Sequence, residues 1–256
     1  FAVLDFKSTL KMAINSLRVN MLRSALTSLG VIIGVSAVII MLAVGSGASK
    51  KVTENMEAMG TNILTVRSAS AKSGGVHMGM GTKPTLTSKD ALAIKKMARG
   101  ILAISTMSSQ TQQLTYGNQN WSTTVYGIQP AYLYIKNYEI EMGRGFIPED
   151  LQNSAKVTLI GSTVAEELFG DVDPINKIIR VGNIPFKVVG LLKVKGQSGP
   201  FDQDDLIFIP ITTAQKKVFG TDFPGTVSQI VIKGQNPETL DQTIEDINEI
   251  LVARHN

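Results

Sequence analysis

The sequence predicts an α+β protein: one N-terminal transmembrane helix with a helical stalk, then a two-lobed mixed α/β domain outside the membrane. Three observations lead to this prediction. Residues 24–49 contain no charged side chain, helical spacing of apolar residues continues beyond them, and the remaining residues, about 200, alternate between strand and helix patterns. With 256 residues, 43% of them hydrophobic and 18% charged, the chain is long enough to bury a core.

The uncharged stretch is long enough to cross a bilayer. Its 26 residues, at about 1.5 Å each, exceed the roughly 30 Å of hydrocarbon. A cleaved signal peptide would have a shorter apolar region and a cleavage site nearer the N-terminus, so the sequence favours a spanning helix over residues 24–49. Four basic residues and one acidic residue precede this stretch, whereas the two lysines directly after it, Lys50 and Lys51, are offset by Glu54 and Glu57. This asymmetry predicts a cytoplasmic N-terminus and an extracytoplasmic main domain.

Residues 1–23 are predicted to form an amphipathic helix on the cytoplasmic side. Apolar side chains recur at helical spacing on one face, and basic side chains lie on the other. The apolar set is Leu10, Ile14, Leu17, Met21 and Leu22, and the basic set is Lys7, Lys11 and Arg18. Both a membrane-surface anchor and a docking surface for a cytoplasmic partner fit this pattern.

Small residues inside the span predict a helix-packing surface. Gly30 and Gly34 form a G-x-x-x-G motif, which allows a second helix to approach closely. Glycine is also common in membrane helices that make no such contact. The motif therefore favours association without requiring it.

Residues 50–61 are predicted to continue the helix as a stalk. Val52, Met56 and Met59 recur at helical spacing, and Gly60 lies where a helix C-cap is expected. A helix that leaves the bilayer without a break transmits movement better than a glycine-rich tether. A plain helical spacer has the same pattern.

Beyond the stalk, the pattern alternates between strands and helices. The strands are "NILTVRS", "KVTLIG", "DDLIFIP" and "SQIVIKG", with hairpins in "QQLTYGNQNWSTTVYGIQP" and in "NKIIRVGNIPFKVVGLLKV", the second turning at residues 182–185. Helices are predicted in "LTSKDALAIKKMARG", where Thr87 and Asp90 form a capping box, and in "STVAEELFG". A final helix begins after Asn236 and carries Leu240, Ile244, Ile247 and Leu251 on one face. Residues 68–85 are predicted to be a loop.

No catalytic or nucleotide-binding pattern is present in the sequence. The chain has no cysteine and only two histidines, His77 and His255, which gives little support to a paired-histidine metal site or to a histidine-based catalytic triad. Ser162 lies between a predicted strand and a predicted helix but outside a G-x-S-x-G motif, so it is interpreted as a helix start. No P-loop motif occurs. The prediction is a chain with no catalytic site and no cofactor of its own.

Two further clusters have alternative interpretations. His77, Met78 and Met80 have the soft ligands that Cu(I) prefers, although methionines in such loops more often form adaptable apolar contacts. Asp202, Asp204 and Asp205 lack the spacing of a calcium loop and are interpreted as a solvated turn. No cluster of basic and aromatic residues indicates nucleic-acid binding, despite a net charge of +4.

Six segments, in this order, together resemble a known family. They are "SLRVNMLRSALTSLGVIIGVSAVIIMLAVGSGASKKV", "MGTNILTV", "YGIQP", "MGRGF", "LIGSTVAEELFGDVDPINKIIRVGNIPFKVVGLL" and "LIFIPITTAQ". The chain resembles the MacB/FtsX-type ABC transporter permeases over nearly its whole length. Such permeases have four membrane helices, with a large extracytoplasmic domain between the first and the second.

The resemblance implies a mechanical role in efflux of drugs, peptides or similar substrates. It implies a cytoplasmic ABC ATPase that binds ATP, a dimer or paired permease, and an inner-membrane location with the main domain in the periplasm. It also implies a periplasmic adaptor (membrane fusion protein) and a TolC-like outer-membrane channel as partners. Residues 62–143 and 224–256 would form a porter-like lobe, and residues 144–223 an inserted sabre-like lobe. Lys7, Lys11 and Arg18 would contact the ATPase.

Other functions remain open at this point. A lipoprotein-releasing ABC permease is the alternative within the same class. A membrane-anchored sensor or adaptor, complete with one helix, is an alternative from another class. A membrane-tethered hydrolase would need a nucleophile or metal site that the sequence does not present.

Overall fold

The computed structural model describes residues 6–58, 62–67, 72–73, 76–77, 86–220 and 225–255. The chain divides into two compact units, Phe1–Asn55 and Met56–Asn256. The first consists of helices in its described part, and the second contains a large mixed sheet with helices against it. This arrangement confirms the predicted fold class of an apolar N-terminal helix followed by a mixed α/β domain.

Two helices account for the described part of the first unit. Helix α1 covers Phe6–Val19 and helix α2 covers Met21–Ala58. The chain turns at Asn20, whose carbonyl accepts a hydrogen bond from the Ser24 amide at 3.0 Å. The single amphipathic helix predicted over residues 1–23 is therefore wrong at its C-terminal end, because the break assigns Met21 and Leu22 to the next helix.

Helix α2 has the length and apolar character of a membrane span. Within the described residues it is the one helix that meets this description, over the 30 residues Met21–Lys50. The helix starts before the predicted boundary at residue 24 and continues past Lys50 to Ala58, for 38 residues in total. The prediction that the helix leaves the apolar stretch without a break is confirmed as far as Ala58.

The second unit contains strands and short helices that alternate along the chain. The strands are β1 (Ile63–Arg67), β2 (Lys72–Ser73), β3 (Val76–His77), β4 (Ile101–Tyr116), β5 (Gln119–Ile128), β6 (Ile140–Gly143), β7 (Val157–Ile160), β8 (Ile178–Val181), β9 (Ile184–Leu192), β10 (Gln197–Ser198), β11 (Phe201–Asp202), β12 (Leu206–Pro210) and β13 (Gln229–Gly234). The helices are α3 (Ser88–Met97), α4 (Ala131–Ile135), α5 (Pro148–Gln152), α6 (Ser162–Phe169), α7 (Ile211–Thr213), a π-helical segment (Ala214–Val218), a 3₁₀ turn (Pro237–Thr239) and α8 (Leu240–His255).

Nine strands form the main sheet, in the order β1-β13-β4-β5-β12-β7-β9-β6, with β8 pairing with both β4 and β9. Strand β12 runs parallel to β5, and β7 runs parallel to β9, whereas the other neighbours are antiparallel. Because β8 bonds to both β4 and β9, the strands β4, β5, β12, β7, β9 and β8 form a closed circuit. Each of these six strands is therefore paired on both sides over at least part of its length.

The apolar core has three parts, which follow from this topology. One part joins strands of the circuit to α6, and includes Leu114, Val164 and Phe186. A second joins the sheet to α4 and includes Ile135 and Phe208, whose ring contacts three tyrosine rings edge-on. The third part lies between α3, α8 and strands β4 and β13.

The closed circuit contains strands from both of the predicted lobes. Residues 144–223 contribute β7, β8, β9 and β12 to it, and residues 62–143 contribute β4 and β5. Strand hydrogen bonds therefore pass from one predicted lobe to the other through the β5–β12 and β4–β8 pairs. The boundaries of the porter-like and sabre-like lobes stay a prediction.

Several element predictions are confirmed, and others are corrected. Helix α3 begins with the expected capping box, since the Thr87 amide donates to Asp90 Oδ2 at 2.8 Å and the Asp90 amide donates to Thr87 Oγ1 at 3.3 Å. Strand β4 begins at Ile101, well before the predicted hairpin, because its first half pairs with β13. The second hairpin turns at residues 182–183, so Pro185 lies in a strand. Within residues 68–85, the described parts form β2 and β3 rather than loop.

The predicted apolar face of α8 is only partly correct. Ile247 is buried as predicted, but Ile244 is 40% exposed. Thr243 and Ile250 are buried in its place. Thr243 is accommodated because its hydroxyl donates to the carbonyls of Arg99 and Thr239.

Candidate functional site

The surface of the apolar helix α2 is open along the span. Its large apolar side chains are exposed, with Val31, Ile32 and Ile33 at 60–66%. A Cβ atom added at Gly30 or Gly34 would meet nothing within 4 Å. Both glycines are therefore on a helix surface to which a second helix has access, and their role in packing stays a prediction.

The basic residues occupy positions on one side of α1, and one of them, Lys11, lines a groove. Lys7, Lys11 and Arg18 all lie in α1, and the side chains of Lys11 and Arg18 are exposed. The groove has a volume of about 660 Å³. It is lined by Ser8, Lys11, Met12, Asn15, Val19 and Asn20. Cationic, amide and apolar groups thus share one surface, which can contact a protein partner.

The predicted stalk residues are only partly described. Val52 and Met56 lie in α2, and Met59 and Gly60 lie outside the described residues. The helix itself is continuous from the apolar stretch through Lys50 to Ala58.

The residues of the predicted copper site are only partly described, and Ser162 lies at the start of a helix. His77 lies in strand β3, and Met78 and Met80 lie outside the described residues. Among the described residues, no three His, Asp or Glu side chains are grouped as metal ligands would be. Ser162 is the first residue of α6, which confirms its interpretation as a helix start.

The aspartate turn is not simply solvated, which corrects the prediction. Asp204 is 4% exposed, and its carboxylate accepts hydrogen bonds from the amides of Lys195 and Gly196 at 2.7–3.1 Å. Asp205 accepts a hydrogen bond from the Trp121 indole at 2.8 Å. These carboxylates organise a loop because they satisfy backbone and side-chain donors that would otherwise be unpaired.

Two strands that are adjacent in the chain to α2 and to α8 pair with each other at one edge of the sheet. Strand β1, which follows α2 in the chain, is the edge strand, and it pairs with β13 in five-residue register from Ile63↔Lys233 to Arg67↔Gln229. Strand β13 precedes α8, which packs on α3. Strand β1 is therefore hydrogen-bonded directly to the strand that leads into α8.

A buried carboxylate fixes α8 to α3. Asp90 is 2% exposed and accepts a hydrogen bond from Arg254 Nε at 2.7 Å, with His255 Nε2 at 3.2 Å. Burial alone would raise the pKa of Asp90, but hydrogen bonds from Arg254 and Thr87 outweigh burial and lower it. The carboxylate is therefore ionised at neutral pH and holds the C-terminal end of α8.

A second ion pair joins α8 to the turn between α3 and β4. Arg99 donates to the Asp246 carboxylate through Nε at 3.0 Å and through a terminal nitrogen at 2.8 Å, and its amide also donates to Asp246. These bonds lower the pKa of Asp246. No local pattern in the sequence marks either pair, because the partners are more than 140 residues apart.

These features define a class of protein: a mixed α/β domain next to a helix that can cross a membrane. Residues 24–250 match the family described as MacB-like periplasmic core domain. The chain belongs to this family, as the resemblance implied.

Curated relatives extend the match over almost the whole chain. The macrolide export ATP-binding/permease proteins MacB of Rhodospirillum rubrum and Chlorobaculum tepidum are 39% and 38% identical to it, over 98% and 95% of its length. The chain covers 38% and 37% of those two proteins. It thus spans a little more than a third of the length of these relatives.

Solved structures share the fold. The periplasmic region of MacB from Actinobacillus actinomycetemcomitans aligns with a TM-score of 0.66 at 21% identity, over 80% of this chain and 89% of that one. The extracellular domain of the ABC-type transporter YknZ from Gram-positive bacteria aligns with a TM-score of 0.61 at 21% identity, over 75% and 95%. At this identity the likeness concerns the fold alone.

Proposed function

We propose that this chain transmits ATP-driven movement across a membrane to an extracytoplasmic domain that drives export. The observation that supports the proposal most is the continuity of α2, which is one helix from Met21 to Ala58. A continuous helix passes axial or tilting motion along its length, whereas a flexible linker would dissipate it. The N-terminus lies on the cytoplasmic side in this proposal.

The outer domain is suited to receive such movement. The chain enters it next to edge strand β1, whose partner β13 is followed by α8. The Asp90–Arg254 pair fixes α8 to α3, and the Arg99–Asp246 pair fixes it to the turn that precedes β4. Motion that reaches β1 would therefore move a connected set of elements rather than one strand.

The proposed partners follow from the family and from the basic surface of α1. An ABC ATPase, either a separate subunit or a fused domain, binds and hydrolyses ATP and contacts Lys7, Lys11 and Arg18. A second permease copy packs on Gly30 and Gly34. A periplasmic adaptor and a TolC-like channel complete the route for drugs or peptides. The names of the curated relatives, which are export proteins, favour export over lipoprotein release.

A break in the helix tests the proposal. In the transporter that contains this chain and its ATPase, residues 50–53 are replaced by four glycines, and by four alanines as the matched control. We expect the glycine variant to hydrolyse ATP but to lose export, and the alanine variant to keep both. Equal export by the two variants would refute transmission through the helix.

A further inference from the structure

Strand β4 has a gap in the pairing along one of its two edges. On one side it pairs with β5 without interruption from Met107 to Tyr116. On the other side, the pairing with β13 reaches no further than Met107, and the pairing with β8 begins at Leu114. Within the described part of the chain, residues 108–112 therefore have a strand partner on one side only. We call these five residues the β4 gap.

One hydrogen bond marks each end of the β4 gap. At the first end, the Ser228 amide donates to the hydroxyl oxygen of Ser108 at 3.4 Å. At the other end, the Gly182 amide donates to the Gln113 carbonyl at 2.8 Å. The chain before β13 therefore leaves the edge of β4 at Ser228, and the turn between β8 and β9 reaches the same edge at Gly182.

Four backbone groups of the β4 gap point to its open side. In an antiparallel strand, the amide and carbonyl of every second residue point to the same side. The Gln113 carbonyl points toward the β8 side, so the amides and carbonyls of Ser109 and Thr111 also point there. Both residues are exposed. Among the described residues, no backbone group pairs with these four groups on that side.

The β4 gap lacks the features that usually keep a strand edge from pairing. Protected edges carry a charged residue, a proline or a bulge. Residues 108–113 are "SSQTQQ", and their register with β5 is continuous. The edge therefore presents its donors and acceptors to an incoming strand without a charge or a bulge in the way.

A cavity adjoins the start of the β4 gap. Its volume is about 150 Å³, and its lining includes Ser109 and Gln110 of β4, together with Phe219 and Val227 from the segment that precedes β13. Val227 is buried and Phe219 is half-buried. The lining contains no charged residue. Sites that add a strand to a sheet take affinity from backbone hydrogen bonds and specificity from a side-chain pocket, and this cavity offers such a pocket to one apolar side chain.

The length of the β4 gap favours an extended peptide over a folded partner. Five residues of strand span about 17 Å. A second copy could not place its β4 there, because its own β13 and β8 pair on the same side as its gap and would meet β8 and β13 of the first copy. A contact of this length also buries far less than the roughly 1,200 Å² of a stable protein–protein interface.

We propose that the β4 gap binds an extended, uncharged peptide segment of about five residues, which adds to the sheet as a strand between β13 and β8. The Ser109 and Thr111 amides donate to carbonyls of the peptide, and their carbonyls accept from its amides. One apolar side chain of the peptide enters the cavity. The proposal goes beyond the transmission proposed above and does not rest on it.

Amide hydrogen exchange in the full chain, labelled with ¹⁵N in a non-ionic detergent, tests the proposal. The probe is an acetylated and amidated pentapeptide of alternating threonine and valine. Without peptide, the Ser109 and Thr111 amides should exchange much faster than those of Gln110 and Gln112, which point toward β5. Peptide that occupies about nine-tenths of the chains should slow exchange at Ser109 and Thr111 about tenfold.

Two controls assign the effect to backbone pairing at the gap. The same peptide with every internal amide N-methylated keeps the side chains but cannot donate, so it should leave exchange unchanged. S109P removes an amide that points to the open side, and the pairing with β5 is kept. It should weaken peptide binding about tenfold or more, measured at Thr111. S109A keeps the amide, is the matched control and should bind as the parent does.

Several results would overturn the proposal. One is exchange at Ser109 and Thr111 that millimolar peptide leaves unaltered, and another is equal slowing by the N-methylated peptide. T111P, measured at Ser109, replaces S109P should that variant fold poorly, and binding equal to that of S109A would also count against the site. Slow exchange of both amides without peptide would show an edge that is already paired, by a second copy if the rate depends on protein concentration and by the chain itself if it does not.

Discussion

Gly127 allows strand β5 to pack closely against α7 and the π-helical segment that follows it. A Cβ atom at Gly127 would overlap the Cβ of Ala214 and would lie 3.4 Å from the Cα of Ile211. We expect Gly127→Ala to destabilise the outer domain by about 1–3 kcal/mol, because overpacking against backbone and a buried methyl group has no flexible atom to displace. Urea unfolding measured by tryptophan fluorescence checks this.

The control for that substitution is Gly145→Ala. There the nearest atom to an added Cβ is the terminal methyl carbon of Ile140, at 3.0 Å, which can rotate away. Its urea midpoint should stay close to that of the parent. Equal losses at the two positions would contradict the packing argument.

Asp90 makes the attachment of α8 to α3 sensitive to substitution. Asp90→Asn removes the ionised acceptor of Arg254 and weakens the capping of α3. We expect a loss of about 1–3 kcal/mol in the free energy of unfolding, the range for a buried polar group that loses its partner. Thermal unfolding at pH 7 measures it, with the exposed Glu245→Gln as control.

The same carboxylate predicts how the effect depends on pH. Because the pKa of Asp90 is lower in the folded chain than its ordinary value of about 3.9, its stabilisation is complete above that pH. It is lost as pH falls through the lower, folded pKa. The stability difference between the parent and Asp90→Asn should therefore shrink below about pH 4. A difference that is constant from pH 7 to pH 3 would contradict the assignment.

Individual residues were predictable from sequence where their partners are local. The Thr87–Asp90 capping box and the helix start at Ser162 involve neighbours within three residues, so spacing alone predicts them. The ion pairs of Asp90 and Asp246, and the burial of Asp204, depend on side chains or strands distant in sequence. No local pattern marks such carboxylates.

At the scale of elements, the face of α2 with the two glycines predicts how copies associate. The sequence lacks cysteine, so single-cysteine variants cross-link without background. Ala37 lies on the face of Gly34, and Ala43 lies on the opposite face at 100° per residue. We expect rapid disulfide formation between copies with Ala37→Cys and little with Ala43→Cys, measured on non-reducing gels after oxidation in membranes.

Substitution of the glycines completes that experiment. Leucine at positions 30 and 34 should slow cross-linking through Ala37→Cys several-fold, because the helices can no longer approach closely. Fast cross-linking through both cysteines, unaffected by the leucines, would argue against a defined packing face.

Helix α1 is predicted to carry the contact with the ATPase. Reversal of charge at Lys7, Lys11 and Arg18 to Glu should reduce co-purification of the ATPase about tenfold or more, since three attractive pairs become repulsive. Reversal at Lys177, Lys187 and Lys216 of the outer domain is the matched control. Unchanged co-purification after the α1 reversal would remove this surface as the contact.

Elements were predictable to the extent that their patterns are periodic. Strand β1, strand β7 and helix α6 were predicted from sequence within a residue or two. The face of α8 was not, because Thr243 is buried through hydrogen bonds to the Arg99 and Thr239 carbonyls rather than through apolar character. The full length of β4 was also missed, since its first half is defined by pairing with β13.

At the scale of the whole molecule, order along the chain did not predict the closed circuit of strands. Strand β8 is only four residues long, yet its pairing with both β4 and β9 closes the circuit. Such closure depends on long-range register, which no local pattern encodes. The apolar span, by contrast, follows from length and composition alone.

In the proposed function, movement passes through α2 to the outer domain. Pulsed electron paramagnetic resonance on Lys187→Cys, spin-labelled in the transporter with its ATPase, measures the distance between outer domains. We predict that this distance changes when a non-hydrolysable ATP analogue binds, and that the change disappears when residues 50–53 are glycine. A distance that ATP leaves unaltered, or a change that survives the glycine replacement, would contradict the account.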